Sequence, residues 1–192
     1  MGYEAGTGSS TSRHEMGMTA ALTDEKKNAL LELAERIRLH EDWWLFPAEP
    51  PVQGFLGTGN IFIVGDQPST DPWEAAHPHR RAFYDLLATE GAGDCHLTDL
   101  YKRRGFAGEL RKGIPEDFEE HRRIFRTEME ILRPSTVLAL GWDAYKLLST
   151  HTPELSNILK RVLHFGVVRH DKLAQFQASL RSAIIAARQG QC

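Results

Sequence analysis

The chain of 192 residues is 41% hydrophobic and 26% charged, an ordinary globular composition that excludes collagen-like and wholly disordered chains. Its net charge of −3 argues against a protein that binds nucleic acid through bulk positive charge. The charge is uneven, because residues 1–76 carry 5 basic and 12 acidic side chains whereas residues 77–192 carry 18 and 14.

The N-terminal segment and the cysteines indicate the setting of the protein. Residues 1–18 are rich in Gly, Ser and Thr and lack the order of a signal peptide, which predicts a disordered leader before a single domain over residues 19–192. The longest apolar run, residues 183–187, is far shorter than the ~20 residues that span a bilayer, so we expect no membrane partner. Two cysteines, Cys95 and Cys192, are too few for a secreted disulfide scaffold and indicate a cytoplasmic protein.

In chain order, the predicted elements alternate between helices and strands. Thr23 can cap a first helix, and apolar residues at helical spacing continue it from Leu30 to Ile37. Short β-branched and apolar runs predict four strands, at residues 60–64, 95–98, 136–140 and 161–164. Helical patterns separate and follow them, at residues 80–89, 115–132, 142–149 and 172–188. The alternation predicts a three-layer α/β/α sandwich with a central, mainly parallel four-stranded sheet.

Side chains capable of chemistry stand where the predicted strands end. Asp66 and Gln67 follow the first strand. Thr98 and Asp99 end or follow the second, and His164 ends the fourth. Ligands of open parallel sheets bind outside the carboxyl ends of the strands. We therefore expect a carboxylate, an amide, a hydroxyl and an imidazole to meet in one crevice.

Four of these segments resemble, in order, the motifs of the uracil-DNA glycosylase superfamily. Residues 65–68 (Gly-Asp-Gln-Pro) resemble its first motif, and residues 98–102 (Thr-Asp-Leu-Tyr-Lys) resemble the Thr-Asn-x-x-Lys segment of its iron-sulfur branch. Residues 134–144 match the Pro-x-x-(Val or Ile)-(Val or Leu)-Ala-Leu-Gly-x-x-Ala motif, and His164 stands where the closing motif begins. The resemblance covers the chain from about Leu30 onward and implies the α/β/α fold of that superfamily.

The resemblance implies hydrolysis of the N-glycosidic bond of a damaged or deaminated base that is flipped out of DNA. The sugar becomes cationic and the departing base anionic in that reaction. By the resemblance, Asp66 or Gln67 would stabilise the sugar cation and position the water, and His164 would hydrogen-bond the departing base. Gln67 departs from the motif, because an amide can orient water but cannot act as a base. The iron-sulfur cluster needs four cysteines, so we expect no cofactor, and no histidine pair has metal-ligand spacing.

Asp99 stands where the family has an Asn that reads the base. An ionised Asp only accepts hydrogen bonds, whereas uracil presents one donor flanked by two acceptors. Three alternatives remain open: the preferred base carries amino groups, as cytosine and adenine do; Asp99 is protonated; or the pocket does not read uracil. Thr98 is expected beside Asp99 in the base-binding set.

The aromatic residue that stacks on the base has two candidates. Trp73 and His77 lie in the loop after the first strand, where the resemblance places this contact. Phe83 and Tyr84 fall on the following helix, where core packing is expected of at least one of them. Trp43 and Trp44 are expected to cover the sheet edge.

Basic residues follow the first two motif loops and predict phosphate contacts along a DNA strand. These candidate DNA-binding residues are Arg80, Arg81, Lys102, Arg103 and Arg104. We expect a monomer that binds double- or single-stranded DNA with a flipped base. Two other functions stay open: a non-catalytic nucleic-acid-binding module that has lost the chemistry at Gln67 and Asp99, and hydrolysis of a small N-glycosidic or acyl substrate.

Overall fold

The computed structural model describes residues 11–71, 73, 78–106, 108–165 and 172–189, with side chains from residue 23 onward. Within these residues helices and strands alternate along the chain as the sequence predicts. They are α1 (Thr11–Arg38), β1 (Ile61–Gly65), α2 (Pro78–Thr89), β2 (His96–Asp99), α3 (Phe118–Leu132), β3 (Thr136–Leu140), α4 (Gly141–His151), β4 (Leu159–Val162) and α5 (Leu173–Gln189).

The four strands form one all-parallel sheet in the order β2-β1-β3-β4, which confirms the predicted sheet. Every residue of β1, β2 and β3 is buried. A parallel sheet is covered on both faces, which explains why these strands read as continuous apolar runs.

Alternate residues of β1 separate the two faces of the sheet. Phe62 and Val64 belong to an apolar cluster with the buried side chains of α1, α3 and α4. Ile61 and Ile63 belong to a second cluster with the buried side chains of α2 and α5. Because successive side chains of a strand point to opposite faces, the helices form two layers around the sheet. The three-layer α/β/α architecture is confirmed.

The first helix and the last strand begin and end at other residues than the sequence predicts. Helix α1 begins at Thr11, so Thr23 lies inside it and residues 11–18 of the predicted leader are helical. Residues 1–10 lie outside the described residues. The predicted strand over 161–164 is wrong by two residues, because β4 spans Leu159–Val162 in register with β3. His164 therefore lies beyond the strand and not at its last position.

The strand order creates a crevice beside β1. From β1 the chain passes through α2 to β2 on one side, and it returns later to place β3 on the other side. Ligands of open α/β sheets bind where the order reverses in this way, outside the carboxyl ends. Asp66 follows β1 directly, and α4 begins at Gly141 directly after β3. No helix in the described part of the chain is both long and apolar enough to span a membrane.

Candidate active site at the carboxyl edge of the sheet

A cavity of about 540 Å³ opens at the carboxyl edge of the sheet. Its volume lies within the roughly 300–1,000 Å³ of small-molecule sites. The segments that line it follow all four strands, together with Trp44 and Phe46 from the segment before β1. Seven of the predicted site residues line this cavity: Asp66, Gln67, Trp73, Arg80, Asp99, Arg104 and His164. The sheet thus brings together side chains from distant parts of the chain.

The backbone beyond β1 and β2 holds the first motif in place. Gly65 pairs with Asp99 at the last position of the two strands. Beyond it, the N–H of Leu100 donates to the carbonyl of Gly65, and the N–H of Tyr101 donates to the carbonyl of Asp66, each at 3.0 Å. The pairing therefore continues one residue past the sheet, and it positions Asp66 beside Asp99.

Gly65 leaves the space that the Asp99 carboxyl occupies. A Cβ atom at Gly65 would lie 2.1 Å from Oδ1 of Asp99, far inside van der Waals contact. The Asp99 carboxyl therefore lies across the end of β1, where a larger residue than glycine would displace it. This close approach explains why the first motif begins with a glycine in this chain.

Replacement of Gly65 by Ala is expected to destabilise the protein by about 1–3 kcal/mol, the usual effect of overpacking. Denaturant unfolding measures the change in the free energy of unfolding. Gly113→Ala is the matched control, because a Cβ at Gly113 meets nothing within 4 Å. Equal midpoints for the two variants would contradict the close approach of Asp99 to Gly65.

Gln67 connects the first motif to the segment after β2. Its Nε2 donates to the carbonyl of Phe106 at 3.2 Å, and a Cβ at Gly105 would lie 2.1 Å from Nε2. Its Oε1 is buried and has no hydrogen-bond partner among the described residues. The amide nitrogen is therefore engaged by the protein, and the amide oxygen is left as an acceptor for a ligand or a water molecule.

Residues of α5 and of the start of α4 surround His164. The preceding N–H, of Leu163, donates to Oγ of Ser179 on α5 at 3.3 Å. The imidazole stacks on Phe165, with 4.8 Å between ring centroids. Gly141 faces it from the start of α4 with a φ of +88°, and a Cβ there would lie 3.0 Å from Cβ of His164. The positive φ and this close approach both favour glycine at the β3–α4 junction.

The electrostatics of Asp66 and His164 follow from their burial in the cavity. Burial raises the pKa of Asp66, and the nearby His164 offsets part of that rise. Burial also lowers the pKa of His164 below its usual 6.5, against the opposing effects of Asp66 and Asp143. His164 is consequently uncharged at neutral pH and retains one N–H to donate.

Burial favours the protonated form of Asp99. It raises the pKa of this carboxyl to about 8; Lys102 lowers it, whereas Asp66 and Glu128 raise it further. The acid form predominates at neutral pH. Of the three alternatives that the sequence leaves open, the structure thus favours a protonated Asp99.

The aromatic wall of the cavity is larger than the sequence predicts. Trp73 lines it, and its Nε1 donates to Oε1 of Glu49 at 2.9 Å. Trp44, expected to cover the sheet edge, lines the cavity beside Trp73 with 5.3 Å between ring centroids. Phe46 and Phe165 also line it, and the sequence analysis identified neither. The only sequence signal for this role is that the two residues lie near Trp44 and His164 in the chain.

Two of the other aromatic candidates lie in the core. Phe83 and Tyr84 are buried in the core beneath α2, which confirms the packing role expected of at least one of them. Tyr84 Oη donates to the carbonyl of Pro47 at 2.9 Å. His77 lies outside the described residues.

The prediction that Lys102 contacts DNA is wrong, because its side chain is fully buried. Its ammonium pairs with Oε1 of Glu128 at 2.8 Å and donates to Oγ1 of Thr98 at 2.7 Å and to the carbonyl of Asp99. Thr98 is buried as well and does not line the cavity, so the structure corrects its base-binding role too. Both residues support the end of β2 from inside the core.

The remaining basic candidates divide into two groups. Arg103 pairs with Asp42 at 2.6 Å and Asp117 at 2.7 Å, and neither it nor Arg81 lines the cavity. Arg80 lies over the ring of Trp73 at 5.1 Å, and Arg104 lies over that of Trp44 at 5.4 Å, both at the cavity.

Arg104 also fixes the loop after β1. Its Nη1 donates to the carbonyls of Ser69 at 2.9 Å and Asp71 at 3.1 Å. Arg111 and Asp143, which the sequence analysis did not identify, line the cavity and form an ion pair. Among the described residues no group of three or more His, Cys, Asp and Glu side chains is arranged to hold a metal ion.

No protein-family model matches this chain, and no curated protein matches it either. The case for a function depends on the geometry and chemistry of the cavity.

Proposed function

We propose that this chain is a DNA glycosylase that hydrolyses the N-glycosidic bond of a damaged or deaminated base flipped out of DNA. The observation that carries the proposal is that Asp66, Asp99 and His164, which come from three different strand ends, line one cavity. This is the arrangement that the resemblance to the uracil-DNA glycosylase superfamily implies. Residues scattered over the surface would have given the proposal no basis.

The chemistry of the cavity suits glycosidic cleavage. The bond between C1′ of the sugar and the base nitrogen breaks, and its electron pair leaves with the base. The neutral His164 donates its N–H to an oxygen of the anionic base. A water molecule attacks C1′, and the Asp66 carboxylate stabilises the sugar cation and accepts the proton of that water. A carboxyl whose pKa is raised by burial is a stronger base than an ordinary Asp.

The walls of the cavity suit a flipped base and its phosphates. Trp73 and Trp44 offer aromatic faces, and extrusion of a base costs a few kcal/mol, which stacking partly offsets. Arg80 and Arg104 lie at the same cavity with cationic groups for the flanking phosphates. Contact through few cations fits a chain whose net charge is −3.

The proposal is tested by single-turnover release of bases from labelled duplexes that each contain uracil, hypoxanthine, xanthine or an alkylated base. Release of at least one of them as the free base, leaving an abasic site, is the expected result. The matched undamaged duplex is the control and should stay intact. Failure to release any base would contradict the proposed activity.

A non-catalytic binding module is the second candidate, and the amide at Gln67 is the observation that favours it. Its nitrogen is engaged by Phe106, and an amide cannot act as a base. Duplexes that bind with salt-dependent affinity but release no base would support this second candidate.

A further inference from the structure

We propose that Asp99 acts as a neutral carboxylic acid that donates a hydrogen bond to a carbonyl oxygen of the bound base, and that its burial beside the carboxylates of Asp66 and Glu128 keeps it neutral. The inference rests on the proposed function and names its substrate class, the deaminated bases that carry an oxygen in place of an amino group. It also gives Glu128, on α3, a positioning role at a distance from the base.

The Asp99 carboxyl is buried at the cavity, and one of its oxygens lacks a hydrogen-bond donor among the described residues. Asp99 is only 4% exposed, and it lines the cavity. Its Oδ2 is buried and has no hydrogen-bond partner within the described residues. A buried carboxylate without donors is costly, whereas a neutral acid in the same place leaves an O–H for a ligand.

Lys102 is the cation that most favours ionisation of Asp99, but its ammonium also serves other groups. An ammonium has three N–H donors. Three oxygens already surround it: Oγ1 of Thr98, the carbonyl of Asp99 and Oε1 of Glu128. The carboxylate of Glu128 opposes the effect of Lys102 on Asp99, and ionisation of Asp99 would place a second carboxylate beside one ammonium.

Burial affects the pKa of Asp99 more than the neighbouring charged groups do. Asp66 after β1 and Glu128 on α3 oppose its ionisation, whereas Lys102 and Arg104 favour it, and burial has the largest effect. Tyr84 on α2 lies near enough for Asp99 to raise the pKa of its phenol, which stays uncharged. The net result holds the proton on Asp99 at neutral pH.

Two uncharged side chains that each carry one donor hydrogen, those of Asp99 and His164, thus line one cavity. Such a pair matches a base with carbonyl oxygens on its edges. Deamination converts an exocyclic amino donor into a carbonyl acceptor, so uracil, hypoxanthine and xanthine present more acceptors than cytosine, adenine and guanine do at those positions. Ionisation of Asp99 would replace the donor with a repelling oxygen.

The test follows uracil release from a labelled duplex and the binding of free uracil, both between pH 6 and pH 9. Wild-type protein should lose about tenfold in both between pH 7 and pH 9, because a carboxyl that titrates near pH 8 loses its proton over that interval. Asp99→Asn, whose amide donates at every pH, should lose less than about twofold. Glu128→Gln should move the wild-type midpoint to lower pH, because removing that negative charge makes ionisation of Asp99 easier.

Asp85→Asn is the matched control, because Asp85 is an exposed carboxylate on α2 outside the cavity, and it should keep the wild-type profile. Should Glu128→Gln fail to fold, the Asp99→Asn profile still decides the matter. Identical pH profiles for wild type and Asp99→Asn would overturn the inference. If base is nevertheless released in that case, the proposed function still stands. If no base is released, the proposed function fails, and the binding of free uracil then tests the inference separately. Binding that weakens near pH 8 would support the inference. Absent or pH-independent binding would overturn it.

Discussion

Replacement of Asp66 by Asn is expected to lower the single-turnover rate of base release by about 10²–10⁴-fold, the usual contribution of a general base. The amide keeps the size of the side chain and can still orient water, but it neither stabilises the sugar cation by charge nor accepts a proton. The measurement compares release rates of wild type, Asp66→Asn and the exposed-site control Asp85→Asn at one pH. An unchanged rate in Asp66→Asn would show that the carboxylate is not part of the reaction.

The same residue sets an expected pH dependence. Burial raises the pKa of Asp66, so protonation removes the active carboxylate at a higher pH than in an ordinary aspartate, whose value is 3.8. The rate of base release should therefore fall as the pH is lowered, with a midpoint above the ordinary range. Asp66→Asn should lack this acid limb, which separates the titration of Asp66 from a general effect of acid on folding.

Lys102→Met is expected to destabilise the protein by about 3–5 kcal/mol, because it removes the ammonium partner of the buried Glu128 carboxylate and leaves only the His96 imidazole beside it among the described residues. Denaturant unfolding gives the free energy directly, and Lys146→Met, at an exposed position on α4, is the matched control. The double variant Lys102→Met, Glu128→Leu should recover part of the lost stability, since it removes both charges. A Lys102→Met protein of normal stability that binds DNA more weakly would contradict the buried role of Lys102. It would support the original prediction that Lys102 contacts a phosphate.

Local sequence pattern was sufficient for the architecture. Buried parallel strands read as β-branched apolar runs, and β3 lies where the run of residues 136–140 predicts it. Element boundaries were less well defined, because the apolar run near β4 continues past the last paired residue, Val162. The convergence of Asp66, Asp99 and His164 was predictable because the carboxyl ends of parallel strands share one edge of the sheet.

The fate of the basic run after β2 was not predictable from its residue types. Lys102 enters the core, Arg103 pairs with Asp42 and Asp117, and Arg104 turns to the cavity. These three consecutive residues lie outside regular secondary structure, so neither the helical nor the strand period assigns their directions.

Tertiary contacts determine the protonation of Asp99 and the extent of the aromatic wall. The proton on Asp99 depends on burial, on Asp66 after β1 and on Glu128, which lies on α3 far along the chain. Trp44 and Phe46 come from the irregular segment before β1, where no periodic pattern indicates which side chains reach the cavity. A motif identifies the residue types of such a site, and only the folded structure shows their neighbours.

Mass-spectrometric detection of the free base after a single turnover tests the account most directly. Wild-type protein is expected to release at least one deaminated or alkylated base from a duplex, and Asp66→Asn and His164→Ala are each expected to abolish or strongly slow that release. Binding of the same duplexes with salt-dependent affinity, but with no free base from any of them, would contradict the proposed activity.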